Sequence, residues 1–288
     1  MAETSQNSIV VCAIARNITN TFDSDFKTIM SALKRFEKIF WIVVESDSND
    51  NSAIKLKTYS EKYNYFTVIS LGSLSDQFNK RTEKLAFARN VYLKELLSNS
   101  KYQNIEVIAI ADLNKLNTLL SKQAVDMAFE HKIWDMCTAN QSGPYYDIWA
   151  LRHEYWSPND CWEQLDFYRQ YTSRPNFTLN AAVNIRMLKI PTSSAPIKVD
   201  SAFGGFAFVK KKYIVNDKMY NGLTNRGTQV CEHVSFCREI TEAKGEIYIL
   251  PCLINTDFTD HSRQITLRYK IIRNFKYPIK LLLKMIHR

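Results

Sequence analysis

Glycine and proline are scarce in this sequence, with 7 of each among 288 residues. The chain shows no low-complexity stretch and no internal repeat, which argues against a disordered or solenoid protein. Hydrophobic residues make up 45% of the chain, and that share is sufficient for a sizeable core. We therefore expect a globular protein of one large domain or two small ones.

Long hydrophobic runs are also missing. No stretch reaches the roughly 18 apolar residues that a membrane-spanning helix needs. The N-terminal residues MAETSQNSIVVCAIA carry Glu3 and lack the basic start of a signal peptide. We therefore predict a cytoplasmic protein.

Cysteine pairs with CxxC spacing are absent, although the chain has six cysteines. Most of them lie in apolar surroundings, which indicates reduced residues of the core. They are Cys12, Cys137, Cys161, Cys231, Cys237 and Cys252.

Acidic residues are missing from the last 27 positions. Residues 262–288 contain eight lysines and arginines, whereas the other 261 residues carry 30 basic and 29 acidic side chains. This nearly neutral body argues against a nucleic-acid partner. In residues 263–288, apolar and basic residues fall on opposite helical faces, which predicts a basic amphipathic helix. We expect residues 265–288 to lie on an anionic membrane surface, so that the protein is peripheral at the inner face of the membrane. The alternative is a helix that docks on the body.

Apolar runs alternate with amphipathic segments along the first half of the chain. This alternation predicts an α/β fold with a mixed, mostly parallel sheet flanked by helices. No linker separates the halves, so we predict a single domain at 1–262. The segment at 132–156 is aromatic and irregular. We predict strands at 8–17, 40–46, 66–71, 104–114 and 245–255, helices at 26–39, 51–63, 81–99 and 227–240, and two strands around a glycine corner at 199–214.

Three motifs occur in a fixed order in the first half: VVESDSNDNS (43–52), KLAFARNVYLKEL (84–96) and VIAIADLN (107–114). Together they resemble GT-A glycosyltransferases, and are similar to family 2 glycosyltransferases and to fungal capsule-associated mannosyltransferases. The resemblance implies a Rossmann-like GT-A fold and a nucleotide-sugar-dependent glycosyltransferase of the EC 2.4 class. Residues 8–115 would form the nucleotide-sugar-binding half, and 116–262 the acceptor half.

The donor site is expected where predicted strands end, because open sheets bind ligands at the carboxyl ends of their strands. Arg16, Asn17 and Glu45 occupy such ends. By the resemblance, Glu45 would bond the base or ribose, and Arg89 or Lys84 would bind the diphosphate. The alternatives are that Glu45 caps the helix near residue 51 and that Arg89 is a solvated or salt-bridged residue.

A divalent cation, Mn²⁺ or Mg²⁺, is implied by the same resemblance. Asp112 would hold it against the donor diphosphate, since two phosphates beside carboxylates need a cation between them. Asn114 stands where the family has a second aspartate, which leaves the metal dependence open. His261 is a candidate additional ligand. The alternative to a metal site is that residues 112–114 form an ordinary turn after a strand.

The acceptor side is expected in the segment GPYYDIWALRH (143–153), which resembles part of the capsule-type enzymes. Tyr146 and Trp149 would stack on sugar rings, and Asp147 and Arg152 would bond hydroxyl groups; an aromatic core segment is the alternative. The corner at Gly204 and Gly205 would lie near the donor sugar, unless it is an ordinary turn.

The general base is expected in CEHVSFC (231–237), which occupies the place of the acidic motif of inverting GT-A enzymes. Glu232 is the first candidate and His233 the second, because a base must remove the proton of the attacking hydroxyl. A Glu-His pair on a helix surface is the alternative.

The predicted function is transfer of a sugar from a nucleoside diphosphate sugar to a surface glycan, of capsule or lipopolysaccharide type, that is free or lipid-linked. A GT-A-like module without catalysis is one alternative. A sugar nucleotidyltransferase is the other.

Overall fold

The computed structural model describes residues 8–260 and residue 262. Eight strands lie in this part of the chain: β1 (Ser8–Ala15), β2 (Lys38–Glu45), β3 (Phe66–Ser70), β4 (Val107–Asp112), β5 (Met136–Gln141), β6 (Ile197–Val199), β7 (Phe206–Lys210) and β8 (Ile247–Thr256). Its seven α-helices are α1 (Phe22–Ala32), α2 (Ser52–Lys62), α3 (Arg81–Ser98), α4 (Lys122–Glu130), α5 (Cys161–Tyr171), α6 (Pro175–Ala182) and α7 (Glu232–Glu242).

All eight strands form one sheet in the order β3-β2-β1-β4-β7-β5-β8-β6. The strands β1 to β4 pair in parallel, β7 runs antiparallel between β4 and β5, and β6 runs antiparallel at the edge. Both halves of the chain contribute strands, and helices cover both faces. The predicted fold class, a mixed and mostly parallel Rossmann-like sheet flanked by helices, is confirmed.

Two apolar clusters form the core, one on each face of the sheet. Within β1, Val10 and Cys12 face the cluster that includes α3, α5, α6 and α7, whereas Val11 and Ala13 face the cluster of α1, α2 and α4. Because β1 is buried on both faces, its sequence is a continuous apolar run rather than an alternating one. All six cysteines are free and buried, as predicted.

The direction of the strand order reverses at β1, since β2 and β3 lie on one side of it and β4 on the other. At such a point the loops that leave neighbouring strands diverge and open a crevice at the carboxyl ends. The residue pairs Ala15 with Glu45 and Ile14 with Asp112 stand in register across β1. The predicted strand ends therefore lie side by side.

Two predicted helices have wrong boundaries. The helix predicted at 26–39 begins at Phe22 and ends at Ala32, because residues 33–37 form the turn into β2, in which Phe36 is buried. The helix predicted at 227–240 begins only at Glu232. The residues before it form a loop in which Leu223 and Gln229 make an antiparallel bridge.

Strand β5 lies within the segment predicted to be irregular, and that prediction is wrong for Met136–Gln141. Of the two strands predicted around the glycine corner, the first is β6, which already ends at Val199, and residues 200–205 belong to no long strand. No helix among the described residues is long and apolar enough to cross a membrane. The predicted tail at 263–288 and His261 lie outside the described residues.

Candidate active site

A cavity of about 350 Å³ lies at the carboxyl ends of β1, β2 and β4. Its size falls within the range of small-molecule sites, roughly 300–1,000 Å³. Residues from both halves of the chain line it, including four cationic side chains and four carboxylates. These are Arg16, Arg81, Lys84 and Arg89, with Asp47, Asp112, Asp147 and Glu232.

Arg89 connects the segments that form the floor of this cavity. It lies on α3, where its guanidinium is buried, and it stands over the Phe203 ring with 5.3 Å between Cζ and the ring centroid. Its Nε donates to Glu232 Oε1 at 2.9 Å, and its Nη2 donates to Asp112 Oδ1 at 2.9 Å. One buried cation thereby joins α3, the end of β4 and the start of α7. Of the two alternatives for Arg89, the solvated residue is wrong, because Arg89 is buried, whereas the salt-bridged residue is what the structure shows.

The turn after β4 presents Asp112 and Asn114 to the cavity. Asn114 and Lys115 both have positive φ, 75° and 65°, which is costly for residues other than glycine. The Asp25 carboxylate, on α1, accepts from the N–H of Asn114 at 2.7 Å and from that of Lys115 at 3.0 Å. Burial raises the pKa of Asp25, and these two hydrogen bonds oppose that rise. Asp25 was missed by sequence reasoning, since its partners lie about ninety positions away.

Asp112 and Asn114 fit part of a site for a divalent cation. Both line the cavity, and a carboxylate with an amide oxygen belongs to the ligand types that Mg²⁺ and Mn²⁺ take. One Asp112 oxygen is already bonded to Arg89. In residues 8–260 and 262, no set of three or more His, Cys, Asp or Glu is gathered closely enough to hold a metal. A cation here would therefore need phosphate or water oxygens to complete its ligands.

Glu45 lies beneath the cavity wall with 3% of its surface exposed. Its Oε2 accepts from Ser70 Oγ at 2.6 Å, and its Oε1 accepts from the Ser48 N–H at 3.4 Å. It does not cap α2, because Asp50 accepts from the Ser52 N–H there. The structure thus shows Glu45 as a support for the loop after β2.

That loop places Asp47 in the cavity wall. Asp47 has a φ of 55°, and its Oδ1 accepts from the N–H and hydroxyl of Ser75 at 2.9 and 2.7 Å. Asn17 supports the same loop, because its Oδ1 accepts from the Asn49 N–H at 2.9 Å. Asn17 is exposed and lies outside the cavity lining.

Three cationic side chains surround the mouth of the cavity: Arg16, Arg81 and Lys84. Arg16 Nε donates to the Asp47 carbonyl at 3.1 Å, and Lys84 Nζ donates to Ser75 Oγ at 3.0 Å. Within the described part of the chain, none of the three forms a salt bridge. Arg81 and Lys84 lie in the first turn of α3, where the helix dipole also favours an anion. Arg81 was not predicted from the sequence.

Asp147 is another carboxylate in the cavity lining, and it accepts hydrogen bonds from backbone donors. Its Oδ2 accepts from the Gly204 N–H at 2.9 Å. Burial, together with the charges of Asp112 and Glu232, raises the pKa of Asp147 to about 6, although the backbone hydrogen bonds from Gly204 and Ala150 act to lower it. An acid with this pKa changes its charge just below neutral pH.

Trp149 lines the cavity, whereas Arg152 does not. The Trp149 Nε1 donates to Asp160 Oδ2 at 3.0 Å, and the Arg152 Nη2 donates to the same oxygen at 2.7 Å. Asp160 also caps α5 by accepting from Trp162 N–H. Arg152 therefore fixes the aromatic segment to the start of α5.

The glycine corner is a close approach between backbone and side chains. Gly204 and Gly205 have φ of 70° and 85°, and a Cβ on Gly205 would stand 2.8 Å from the Tyr146 hydroxyl. The Gly205 carbonyl accepts from the Asp112 N–H at 2.9 Å, so the corner supports the end of β4. Neither glycine, nor Tyr146, is among the residues that line the cavity.

Glu232 and His233 begin α7 and both line the cavity. The His233 ring stacks on Phe203 with 3.7 Å between centroids and 16° between planes. Burial and the charge of Arg89 lower the pKa of His233 well below its ordinary value, so its ring is neutral. The pair lies in the interior, and the helix-surface alternative is wrong.

The structure therefore brings nine of the predicted site residues into the lining of one cavity. It places Glu45, Asn17, Tyr146, Arg152 and the two glycines in supporting positions around it. The nine are Arg16, Lys84, Arg89, Asp112, Asn114, Asp147, Trp149, Glu232 and His233.

No protein-family model matches the sequence, and no curated protein matches it. Among solved structures, the chain is similar to the mannosyltransferase PcManGT from Pyrobaculum calidifontis in complex with GDP-Man and Mn²⁺, at 13% identity, with a TM-score of 0.48 over 94% of this chain and 64% of that one. It is similar to glucosyl-3-phosphoglycerate synthase from Mycobacterium tuberculosis in complex with Mn²⁺, uridine-diphosphate and phosphoglyceric acid, at 14% identity, with a TM-score of 0.39 over 87% and 67%.

It is also similar to TarS 1-349 from S. aureus, at 15% identity, with a TM-score of 0.33 over 47% of this chain and 36% of that one. The chain spans less than two thirds of the length of both TarS 1-349 and PcManGT.

Proposed function

We propose that the cavity binds a nucleoside diphosphate sugar and that the protein is a GT-A glycosyltransferase. The observation that supports this most strongly is the convergence at one sheet edge of Arg16, Lys84 and Arg89 with Asp112 and with Glu232. The first four come from the half of the chain that would bind the donor, and Glu232 comes from the half that would bind the acceptor. A glycosyl donor needs cations for its diphosphate and a carboxylate for the incoming alcohol.

The diphosphate would lie at the mouth of the cavity. Arg16, Arg81 and Lys84 carry charges that no salt bridge occupies in residues 8–260 and 262, and guanidinium groups match phosphate oxygens well. Asp112 and Asn114 would hold a divalent cation on the same diphosphate. When bound, such a cation offsets the charge that develops on the leaving nucleotide.

Two carboxylates are candidates for the general base. Glu232 accepts a hydrogen bond from the Nε of buried Arg89, so one lone pair of its Oε1 is already occupied. Asp147 has a pKa raised to about 6 and no cation within salt-bridge distance among the described residues. We therefore propose Asp147 as the base near neutral pH and Glu232 as the group that orients the acceptor hydroxyl.

The acceptor would be a surface glycan of capsule or lipopolysaccharide type. Trp149 offers an aromatic face at the cavity for a sugar ring. The acid-free run at 265–288 supports a peripheral position at the inner face of a membrane, where a lipid-linked acceptor would be reached. Residues 8–115 and 116–262 would act as donor and acceptor halves of one catalytic domain.

A second candidate is a GT-A-like module that binds a glycan or nucleotide without transfer. The observation in its favour is the partial metal site, since Arg89 occupies one Asp112 oxygen and an amide stands at Asn114.

The two candidates are separated by a donor-turnover assay on the full chain, in which UDP- and GDP-sugars are incubated with and without Mn²⁺. The wild type is expected to release nucleoside diphosphate, and Asp112→Asn is expected to lose this activity at least tenfold. Asp126→Asn, on the surface of α4, is the matched control and should keep it. Binding without turnover would favour the module. Conversion of the UDP- or GDP-sugar to sugar 1-phosphate and nucleoside triphosphate, only when pyrophosphate is added, would favour a nucleotidyltransferase.

A further inference from the structure

The imidazole of His233 is buried without a partner. Only 2% of the residue is exposed, and both Nδ1 and Nε2 are buried with no hydrogen bond to any residue that the structure describes. Buried polar side-chain atoms are nearly always hydrogen-bonded, because an unpaired one forfeits its hydration. Two such atoms on one ring at a cavity wall indicate that a ligand supplies a partner.

Aromatic neighbours fix the orientation of this ring. Phe203 stacks on one face at 3.7 Å, and Tyr220 stands edge-on at 84° with 5.5 Å between ring centroids. Rotation of the imidazole towards solvent would break both contacts. The ring is therefore held in place before any ligand arrives.

The carboxylate of Glu232 is the polar group beside the ring. His233 Nε2 lies 3.9 Å from Glu232 Oε1, which is too far for a direct hydrogen bond. An oxygen atom about 2.8 Å from each of these atoms would bridge them, which requires the cavity wall over the buried Nε2 to open when the ligand binds. Arg89 Nε occupies one side of Oε1 and leaves its second lone pair available.

We propose that His233 Nε2 and Glu232 Oε1 together bind one sugar hydroxyl group, which belongs to the transferred sugar or to the acceptor. A hydroxyl fits because it accepts from Nε2–H and donates to the carboxylate in the same position. A phosphate oxygen does not fit, since it has no proton to donate and Glu232 repels it. The neutral state of the ring supports this pairing, because a neutral imidazole carries one N–H. The inference rests on the proposed glycosyl transfer.

The test compares His233→Phe with His233→Gln in the full chain. Phenylalanine keeps a ring against Phe203 and Tyr220 but removes both nitrogens, and glutamine retains a donor and an acceptor. If the nitrogens have no partner in the free protein, H233F should raise the apparent Tm. It should also lower kcat/KM for transfer at least tenfold, and H233Q should recover part of that loss. A rise in the KM for the acceptor assigns the hydroxyl to the acceptor, and a rise in the KM for the donor assigns it to the transferred sugar.

Unchanged transfer by H233F overturns the inference. Binding of UDP and GDP is measured in parallel on both proteins. If the wild type binds neither and transfers nothing, the proposed function fails and the inference fails with it. If both bind but H233F transfers normally, the inference alone fails.

Discussion

Replacement of Arg89 by methionine tests the buried ion network from which the cavity is built. The guanidinium bonds Glu232 and Asp112 at 2.9 Å each, and the exposed fraction of the side chain is 5% for Glu232 and 28% for Asp112. Glu232 cannot regain its hydration when Arg89 is removed, whereas Asp112 can do so in part. Removal of one partner of a buried pair costs about 3–5 kcal/mol, so we expect R89M to lower the free energy of unfolding by this amount.

The assay is urea unfolding at pH 7, followed by circular dichroism, on R89M, Glu232→Gln and the double variant. Because the two side chains interact directly, the double variant should be about 1–3 kcal/mol more stable than the sum of the single effects predicts. Arg35→Met is the control: its bond to Asp126 is at the surface and should be worth about 0–1 kcal/mol. Additive effects, or an R89M loss no larger than that of R35M, would refute the buried network.

Three further predictions concern single positions. The pKa of Asp147 is raised to about 6 from 3.8, so the folded protein binds more protons than the unfolded chain between these values and loses stability as pH rises through them. In thermal unfolding, Asp147→Asn should therefore be more stable than the wild type at pH 7, by up to about 3 kcal/mol. Below pH 4 the two proteins should be equally stable. A stability difference of the same size at both pH values would contradict this. In urea unfolding, Gly205→Ala should lower the free energy of unfolding by about 2–3 kcal/mol, because the residue has positive φ and its Cβ would stand 2.8 Å from the Tyr146 hydroxyl. Gly72 also has positive φ but has open space around it, so Gly72→Ala should lower this free energy by only about 1 kcal/mol. Asp25→Ala removes the acceptor of two backbone N–H groups and should lower both stability, by about 1–3 kcal/mol, and donor turnover; normal turnover would show that the turn after β4 holds without it.

The first half of the fold was predictable because its signals are local. The strands β1, β2 and β4 are continuous apolar runs, and Asp112 and Glu45 mark where two of them end. Parallel pairing then places these ends at one edge by geometry alone. The sequence does not determine which way an end residue faces, and the position of Glu45 under its loop depends on Ser70 of the next strand.

Strand β5 was not predictable, because the side-chain amides of Asn140 and Gln141 donate to carbonyls of distant segments. Asn140 donates to the carbonyls of Ile190 and Pro251, and Gln141 donates to that of Gly204. These partners are 50 to 111 positions away, so no short window contains them. Asp25 is a similar case, since its role is visible only once α1 packs beside the end of β4.

The cations around this cavity are proposed to bind a diphosphate. Isothermal titration of UDP and GDP into the full chain, with Mn²⁺ present, measures that directly. We expect one nucleotide per chain, with affinity at least tenfold weaker in the Arg81→Ala/Lys84→Ala variant. If neither UDP nor GDP gives a binding heat, or if the Arg81→Ala/Lys84→Ala variant binds with the same affinity as the wild type, this proposal is contradicted.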